Sequence, residues 1–308
     1  MKIMVTGGAG FIGSHVVDMM VEAGHEVIVV DDLSTGRLSN VNPAVRFYQI
    51  DIRHPEMEVI FDKERPEVVN HHAAQMDVRK SVTDPLFDAD VNVVGSLKLA
   101  QLAIKYGVRK FIHISSGGAV YGEPVYLPCD EQHPVQPLCP YGITKYVFEK
   151  YLSIFWRNQG LDYSVLRYPN VYGPRQNPNG EAGVVAIFAA RMLKEAPITI
   201  YGTGEQVRDF VYVTDCAQAN MLVLTKGSGQ VYNLGYGLGT SVNEIFLHLK
   251  AITHYGMDPV YAAARLGETY RIYLNAQKAA RELGWQPTVG LKEGLVHTVA
   301  YIQENEVR

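Results

Sequence analysis

The glycine-rich stretch near the start of the chain restricts the fold more than any other feature of the sequence. Residues 2–6 (Lys-Ile-Met-Val-Thr) form a short, mostly apolar run, which is typical of a buried parallel strand. A glycine-rich turn follows, and apolar residues then recur at helical spacing. Gly7 allows a tight turn, Gly10 lets the backbone approach a pyrophosphate, and Gly13 lets the helix pack closely against the strand. We therefore expect a strand, a turn and a helix whose first N–H groups face a phosphate.

An acidic residue after the next strand specifies the ligand further. Asp31 closes the apolar run 27–30. Its carboxylate can accept hydrogen bonds from both hydroxyls of an adenosine ribose, whereas it would repel a 2′-phosphate. Arg37 lies too far along the chain to neutralise such a phosphate. A glycine motif alone is weak, but a strand before it, a helix after it and an acid at this distance favour NAD over NADP.

The composition is that of an ordinary globular protein. The 308 residues are 47% hydrophobic and 19% charged, and the net charge of −4 provides no basic field for nucleic acid or an anionic membrane. No apolar run is long enough to span a bilayer, so we expect no membrane partner. The cysteines are odd in number and form no CxxC pair, which favours reduced thiols in the cytoplasm. His71-His72 lacks the spacing of a metal site, so we expect no metal and interpret the pair as packing.

Strand-like and helix-like runs alternate through the first half of the chain. Strands are predicted at 2–6, 27–31, 45–50, 67–72, 110–115 and 163–168, and again near the sheet at 207–213 and 230–234. Helices are predicted near 11–23, 86–106, 141–159 and 184–195. This alternation predicts an α/β fold with a Rossmann-type, doubly wound parallel sheet, whose ligands bind at the carboxyl ends of the strands.

The alternation breaks after Asn170, where a loop rich in proline, glycine and asparagine begins. We expect residues 1–170 to form the NAD-binding domain, with 201–238 returning to it. Residues 171–200 and 239–308 are expected to form a smaller, discontinuous C-terminal α/β domain that binds the substrate.

Ser116, Tyr141 and Lys145 form the candidate catalytic group. Ser116 follows a predicted strand and Tyr141 opens a helix just after Pro140, so Lys145 lies one turn further on the same face. Tyrosine has a pKa of about 10, and a base useful near neutral pH needs that value lowered by roughly 3 units. The Lys145 ammonium and a positive nicotinamide ring could supply that shift. We expect Tyr141 to move the proton of a substrate hydroxyl that Ser116 hydrogen-bonds.

Together with three further segments, these motifs carry a family resemblance. The chain reads Arg-Tyr-Pro-Asn-Val-Tyr-Gly-Pro-Arg at 167–175, Gly-Glu-Gln-Val-Arg-Asp-Phe at 204–210 and Leu-Gly-Trp-Gln-Pro at 283–287. With the glycine turn and the Ser-Tyr-Lys group, it resembles the extended short-chain dehydrogenase/reductase family over essentially its full length. It is most similar to the UDP-glucose 4-epimerase branch of that family.

The resemblance implies two sets of binding residues. The NAD contacts would be Gly7, Gly10, Phe11, Ile12, Asp31, Asp32, Ser34, Gly36, Asp51, Ile52, Ala73, Ala74, Gln75, Asn92, Ser115, Tyr141, Lys145 and Tyr168. The nucleotide-sugar contacts would be Ser116, Asn170, Val185, Tyr201, Arg208, Arg265 and Glu268. Arg208 and Arg265 can neutralise a diphosphate, and Glu268 can accept hydrogen bonds from a ribose diol.

The chain departs from the family pattern in two places. Pro169 removes a backbone donor beside the nicotinamide. An extra glycine in the serine segment leaves open whether Ser115 or Ser116 is the working hydroxyl, and we favour Ser116. The same segment bears on the reaction, because nucleotide-sugar 4,6-dehydratases have an Asp-Glu pair where this chain has Gly118-Ala119. The groups for dehydration are therefore missing.

The resemblance implies an NAD-dependent epimerase that inverts C4 of a UDP-hexose, UDP-glucose or UDP-galactose, through a 4-keto intermediate. The alternatives are a 4-epimerase of UDP-glucuronate or of UDP-N-acetylhexosamines, or another NAD-dependent nucleotide-sugar enzyme such as a uronate decarboxylase. A non-catalytic NAD sensor of the same fold would be expected to lose Tyr141 or Lys145, and both are present.

The helices predicted at 86–106 and 141–159 carry apolar residues on more than one face. Some of these residues can pack on the sheet while others meet a partner, and relatives commonly dimerise through two such helices. We therefore expect a homodimer.

The position that limits substituents at C2 of the sugar follows from the same resemblance. Counting on from Glu268 places Ile272 there, although Tyr270 and Tyr273 allow a slip of one or two residues. Isoleucine is of intermediate size, so we expect slower turnover of N-acetylated substrates rather than their exclusion.

Overall fold

The computed structural model describes residues 1–179, 183–264 and 269–306. Its strands are β1 (Lys2–Thr6), β2 (Glu26–Asp31), β3 (Arg46–Gln49), β4 (Val68–His71), β5 (Lys110–Ser116), β6 (Asp162–Tyr168), β7 (Asn170–Tyr172), β8 (Thr199–Tyr201), β9 (Val207–Arg208), β10 (Phe210–Tyr212), β11 (Gln230–Asn233), β12 (Thr240–Ser241) and β13 (Val260–Ala262). Its helices are α1 (Phe11–Glu22), α2 (Met57–Glu64), α3 (Val78–Thr83), α4 (Pro85–Ala89), α5 (Ser96–Lys105), α6 (Gly117–Val120), α7 (Pro140–Gln159), α8 (Val184–Leu193), α9 (Val213–Val223), α10 (Val242–Thr253), α11 (Gln277–Leu283) and α12 (Leu291–Asn305).

Seven parallel strands form the main sheet, in the order β11-β6-β5-β4-β1-β2-β3. β1 lies between β2 and β4, so Val5 pairs with Val29 on one side and with Asn70 on the other. The chain winds outward from β1 to β3 in one direction and from β4 to β6 in the other. The order therefore reverses between β1 and β4, which is where open sheets of this kind bind ligands. The predicted Rossmann-type, doubly wound α/β fold is confirmed.

Helices cover both faces of this sheet because its central strands are apolar on both sides. On one face, Val16 of α1 and Trp285 after α11 belong to a single buried cluster that also includes α9. On the other face, Phe61 of α2 and Phe148 of α7 pack together with α5. The carboxyl ends of the strands are therefore held rigidly between two helical layers.

A second core lies between α8, α10 and α12. Val185, Phe246 and Leu295 are buried there, away from the main sheet. α11 and Trp285 pack with the first core instead, although 239–308 was expected to belong to the substrate domain. The predicted domain boundaries stay a prediction.

Two predicted elements differ from the structure. The helix predicted at 86–106 is three segments, α4, a π-helical segment at Asp90–Gly95 and α5. The strand predicted at 207–213 is split into β9 and β10, which pair with β12 and β7 in two-stranded sheets, so only the 230–234 segment returns to the main sheet. The split occurs at Asp209, whose carboxylate accepts hydrogen bonds from the backbone N–H groups of Tyr236, Gly237 and Leu274.

Candidate active site

The glycine turn between β1 and α1 has the shape of a phosphate cradle. Gly7 has a φ of +71°, and a Cβ atom there would lie 2.6 Å from the backbone nitrogen of Ala73. A Cβ atom on Gly13 would lie 2.2 Å from the carbonyl oxygen of Gly7. Gly10 is the N-cap residue of α1, and no side chain caps the first N–H groups of the helix. Those N–H groups are thus available to an anion, as the pyrophosphate of NAD requires.

Asp31 sits beside this turn at the end of β2 and is 7% exposed. Its carboxylate accepts hydrogen bonds from the N–H groups of Ala9, at 2.9 Å, and Leu33, at 2.8 Å. Burial raises the pKa of Asp31, and these two donors oppose the rise. Each oxygen keeps a second lone pair for a ribose hydroxyl. A Cβ atom on Gly36 would lie 2.8 Å from the carboxylate, so the backbone there must also approach closely.

The other residues predicted to contact the adenosine lie around the same edge. Asp32 accepts hydrogen bonds from the backbone and the hydroxyl of Ser34 in an exposed turn. Asp51 is paired with Arg53, and this hydrogen bond lowers the pKa of Asp51. Ile52 follows and is 5% exposed. The structure brings these residues together at the carboxyl ends of β2 and β3.

Ser116, Tyr141 and Lys145 meet where β5 ends beside the start of α7. Pro140 occupies the first turn of α7, so Tyr141 and Lys145 lie one turn apart. The Lys145 Nζ donates a hydrogen bond to the carbonyl of Ile114 at 2.9 Å and lies 5.9 Å from the centre of the Tyr141 ring. The Ser116 hydroxyl lies beside the Tyr141 phenol. The predicted catalytic group is therefore assembled in space.

Burial governs the protonation states of Tyr141 and Lys145. Burial raises the pKa of Tyr141, with the Cys139 and Asp88 charges adding to the rise and the Ser116 hydrogen bond opposing it. Burial also lowers the pKa of Lys145 to about 8, against the opposing pull of Asp88 and Glu149. Without a cofactor, burial therefore leaves Tyr141 a phenol and Lys145 an ammonium at neutral pH. The lowering of the Tyr141 pKa by Lys145 and a nicotinamide ring together stays a prediction.

The two serines of β5 point in opposite directions, as successive residues of a strand do. The Ser115 hydroxyl donates to the carboxylate of Glu149 at 2.6 Å and is buried, whereas Ser116 faces Tyr141. A Cβ atom on Gly117 would lie 2.4 Å from the side chain of Leu274, which accounts for glycine after the serines. This geometry favours Ser116 as the working hydroxyl and leaves only the backbone of Ser115 for a cofactor contact.

Three buried histidines, His71, His72 and His113, lie near Lys145. His71 is hydrogen-bonded to the Thr6 hydroxyl at 2.7 Å and to the Ser96 hydroxyl at 2.9 Å, and its ring lies 5.9 Å from that of His113. Burial, followed by the Lys145 charge, lowers the pKa of His71 and of His113. Neutral imidazoles here avoid a second positive charge beside Lys145. No cluster suited to a metal ion occurs among the residues that the structure describes.

The sequence analysis missed a buried polar group that adjoins the catalytic helix. Asp88 of α4 is fully buried and accepts hydrogen bonds from Gln75, Asn92 and Thr144, which lies between Tyr141 and Lys145. Gln75 and Asn92 are also joined backbone to side chain at 2.9 Å. Asp84-Pro85 is a helix-start signal, and it could have predicted a short helix with Asp88 on its inner face. Nothing in the sequence identified the hydrogen-bond partners of Asp88.

The remaining predicted NAD contacts are ordered by neighbouring side chains. Ala73 and Ala74 follow β4 and are half-buried. The Tyr168 hydroxyl accepts a hydrogen bond from the Asn220 amide, and Tyr168 is 4% exposed. Phe11 and Ile12 open α1, next to the glycine turn. All these residues lie at or just beyond the carboxyl ends of β1, β4 and β6.

The predicted substrate contacts are less uniform. Asn170 is half-buried, and its side-chain oxygen lies 3.7 Å from the position of a Cβ atom on Gly118. Tyr201 is 39% exposed, and the Arg208 guanidinium donates to the carbonyl of Val207 at 2.9 Å. The Val185 side chain has no exposed surface and packs in the second core, so only its backbone in the first turn of α8 could meet a substrate, and the predicted contact stays a prediction. Arg265 and Glu268 lie outside the described residues.

Ile272 does not line open space. It is 2% exposed and packs with Val120 and Tyr121 in a small buried cluster. The segment that carries it is held on both sides, because the Ile272 N–H donates to Val207 and the Cys129 N–H donates to Tyr273. The structure therefore gives no support to Ile272 as the limit on C2 substituents.

No helix in the described part of the chain is long and apolar enough to cross a membrane.

Comparison with known proteins places this geometry in context. The model of the NAD dependent epimerase/dehydratase family matches residues 3–235. A putative UDP-glucose 4-epimerase of Methanocaldococcus jannaschii is 48% identical over 98% of this chain and 99% of its own length. The UDP-glucose 4-epimerase of Thermotoga maritima, solved with UDP-glucose, is 53% identical with a TM-score of 0.97 and covers 99% of both chains. That of Thermus thermophilus, solved with NAD, is 43% identical with a TM-score of 0.95 over 99% of this chain and 100% of that one.

Proposed function

Because the chain belongs to the NAD-dependent epimerase/dehydratase family, we propose that it is an epimerase that inverts C4 of UDP-glucose and UDP-galactose. The observation that carries the proposal is the meeting of Ser116, Tyr141 and Lys145 beside the glycine turn. Gly118 and Ala119 stand where a dehydratase would need an acid and a base. The proposed site thus has groups for moving one hydroxyl proton and lacks groups for removing water.

The cofactor would be held by the turn between β1 and α1, with Asp31 at its ribose and Asp51 near its adenine. NAD, when bound, supplies the acceptor and donor of hydride. The turn fits it because Gly7 and Gly13 leave no room for side chains and the first N–H groups of α1 are uncapped. An enzyme that regenerates NAD⁺ in each cycle gains nothing from its release, so the protein is expected to retain it.

The chain's own residues would handle the proton. Tyr141 removes it from the sugar hydroxyl, and Ser116 holds the same oxygen in place. Lys145 is a buried ammonium whose Nζ lies 5.9 Å from the centre of the Tyr141 ring. Its charge favours the phenolate, which is the form of Tyr141 that can accept the substrate proton. A positive nicotinamide ring adds to this effect. Together they would oppose the rise in pKa that burial imposes on Tyr141.

The nucleotide sugar would be held from the other side of the site. We propose that Arg208 and Arg265 neutralise its diphosphate and that Glu268 accepts hydrogen bonds from its ribose. Asn170 is supported as a further contact, because its side-chain oxygen and the Ser116 hydroxyl both lie within 4 Å of the position of a Cβ atom on Gly118. The relative solved with UDP-glucose supports this class of substrate.

The substrate assignment is tested with purified protein and five compounds: UDP-glucose, UDP-galactose, their N-acetyl forms and UDP-glucuronate. We expect interconversion of the two neutral hexoses to have the highest kcat/KM. Conversion of UDP-glucuronate with release of CO₂ would identify a decarboxylase instead. Preferential conversion of the N-acetyl pair would assign the chain to that class of epimerase.

We also propose that two copies associate through α7 and the segment α3–α5. Leu86 is 83% exposed and Ile154 47% exposed, although both are large and apolar. Ile143 and Tyr151 continue the exposed stripe on α7, two turns apart, whereas Leu152 and Phe148 of the same helix are core residues. A contiguous exposed apolar surface on two adjacent helices is typical of an interface.

The cysteines are free and buried, which supports a reducing compartment such as the cytoplasm.

A further inference from the structure

Asp88 is a buried carboxylate with only neutral partners. Its oxygens accept hydrogen bonds from Gln75 Nε2 at 2.8 Å, Asn92 Nδ2 at 3.1 Å and Thr144 Oγ1 at 2.8 Å. The ion pairs found among residues 1–179, 183–264 and 269–306 do not include it. A buried charge without a direct ion-pair partner is costly, so the position of Asp88 needs a physical reason.

Glu149 provides the contrast. It is the other buried acid near Lys145, one turn further along α7, and it is 3% exposed. Its carboxylate is paired with the Arg167 guanidinium at 2.6 Å and 3.0 Å, so its charge is compensated locally. Asp88 therefore lacks the direct ion pair that Glu149 has, and its charge acts on the buried Lys145 instead.

Asp88 connects the turn of α7 that carries Tyr141 and Lys145 to two predicted NAD contacts, Gln75 and Asn92. The Thr144 hydroxyl has one hydrogen to donate, and it lies 2.8 Å from Asp88 but 3.1 Å from the carbonyl of Tyr141. The other Asp88 oxygen holds Gln75 and Asn92, which are joined to each other. One carboxylate thus fixes the turn that carries Tyr141 and Lys145 against residues expected to face the cofactor.

The charge of Asp88 also acts on both titrating groups. The ionisable groups that act on Lys145 or Tyr141 from the surrounding elements are Asp88, Glu149, Cys139, His71, His72 and His113. Burial lowers the pKa of Lys145, and Asp88 is the strongest influence in the opposite direction. Burial raises the pKa of Tyr141, and Asp88 adds to that rise.

We infer that Asp88 is a positioning residue of the proposed epimerase, which fixes the catalytic turn of α7 through Thr144 against Gln75 and Asn92. This inference rests on the proposed function. It assigns no contact between Asp88 and the substrate. Its role is exerted through Thr144 and through the electrostatic potential at Lys145.

The test is the pH dependence of kcat in Asp88→Asn. Asparagine can accept from Gln75 and Asn92 and donate to Thr144, so the hydrogen bonds are kept while the charge is removed. Loss of a negative charge lowers the pKa of both Tyr141 and Lys145, so both limbs of the profile should move to lower pH, by roughly 0.5–1 unit. On the alkaline limb, at pH 8, we expect kcat to fall about two- to fivefold with KM within about twofold.

Asp90→Asn is the matched control, because Asp90 is an exposed acid two residues away that pairs with Arg53. Its profile should coincide with that of the wild type. Limbs that stay at wild-type pH in Asp88→Asn would overturn the electrostatic role, and an unchanged kcat would overturn the inference altogether. A wild-type protein that converts no UDP-sugar would instead refute the proposed function.

A second pair of variants covers the case in which Asp88→Asn does not fold. Thr144→Val removes the hydrogen bond to Asp88 together with the weaker hydroxyl contacts to the Tyr141 carbonyl and the Asn92 amide, whereas Thr144→Ser keeps all three. We expect the valine variant to lose about tenfold in kcat and the serine variant to recover most of it. Equal kcat in valine variant and wild type would refute the positioning role.

Discussion

At the level of single residues, burial decides the protonation of Tyr141 and Lys145, which lie one turn apart on α7. Residues four apart on a helix share a face, so Tyr141 and Lys145 could be placed together without coordinates. Strand alternation alone implied that Ser115 and Ser116 face opposite sides, but only the contact with Glu149 decided between them. Burial depends on the whole fold, which is why the direction of the Tyr141 pKa shift and the partners of Asp88 could not be predicted.

Replacement of Tyr141 by phenylalanine tests the catalytic assignment. The phenol oxygen acts mainly in the transition state, so kcat should fall at least about a hundredfold while UDP-sugar affinity stays within about twofold. Turnover is measured by product isomer analysis, and affinity by calorimetry with UDP. Near-normal turnover in the variant would remove Tyr141 from the mechanism.

Lys145 should make the stability of the fold depend on pH. Burial lowers its pKa to about 8, whereas the unfolded chain has the ordinary value of about 10.4. Between these values the unfolded state binds more protons, so stability rises with pH. Relative to Lys145→Met, the free energy of unfolding of the wild type should increase by about 2 kcal/mol between pH 7 and pH 9.5. Urea unfolding at both pH values measures this difference, and a constant difference would contradict the lowered pKa.

At the scale of elements, strands bounded by glycine or acidic residues were predicted to within about two residues, because their apolar runs are short and uninterrupted. The π-helical segment at Asp90–Gly95 could not be foreseen, since it leaves the apolar pattern intact while rotating Asn92 toward Gln75. The break at Asp209 was hidden for a similar reason. Its three backbone partners come from segments far away in sequence.

The turn between β1 and α1 can be tested by filling it. In Gly13→Ala the added methyl group would lie 2.2 Å from the Gly7 carbonyl oxygen, so the turn must shift and dinucleotide retention should fall at least about tenfold. Gly290→Ala is the control, because a Cβ atom there meets nothing within 4 Å. The dinucleotide released on denaturation is measured per chain. Equal retention in both variants would show that the turn does not hold the cofactor.

At the scale of the whole molecule, the doubly wound sheet followed from the alternation of strands and helices, since parallel strands need crossover helices on both faces. The division of the last third of the chain between the two cores could not be predicted from the sequence. α11 carries a helical pattern that gives no sign of which core it joins, and it packs with α9 and Trp285 on the sheet. Long-range packing decides such questions, and a local pattern does not record it.

Assembly is tested by charging the proposed interface. The double variant Leu86→Glu, Ile154→Glu places carboxylates on the exposed stripe and should yield a particle near the chain mass of 34.3 kDa. Leu247→Glu, on the exposed face of α10, is the control and should keep the wild-type mass near twice that value. Light scattering at micromolar concentration measures both. A wild type already near 34.3 kDa would contradict the dimer.

Inversion of C4 of a UDP-hexose by a reversible, internal hydride transfer keeps the C4 hydrogen on the sugar, so its exchange with solvent can be measured. Purified protein is incubated with UDP-galactose in D₂O without added cofactor, and the sugar is followed by proton NMR. Because the hydride returns to C4 without exchange, we predict UDP-glucose as the product, with hydrogen rather than deuterium at C4. Unchanged UDP-galactose in the presence of added NAD, or deuterium at C4 of the product, would contradict it.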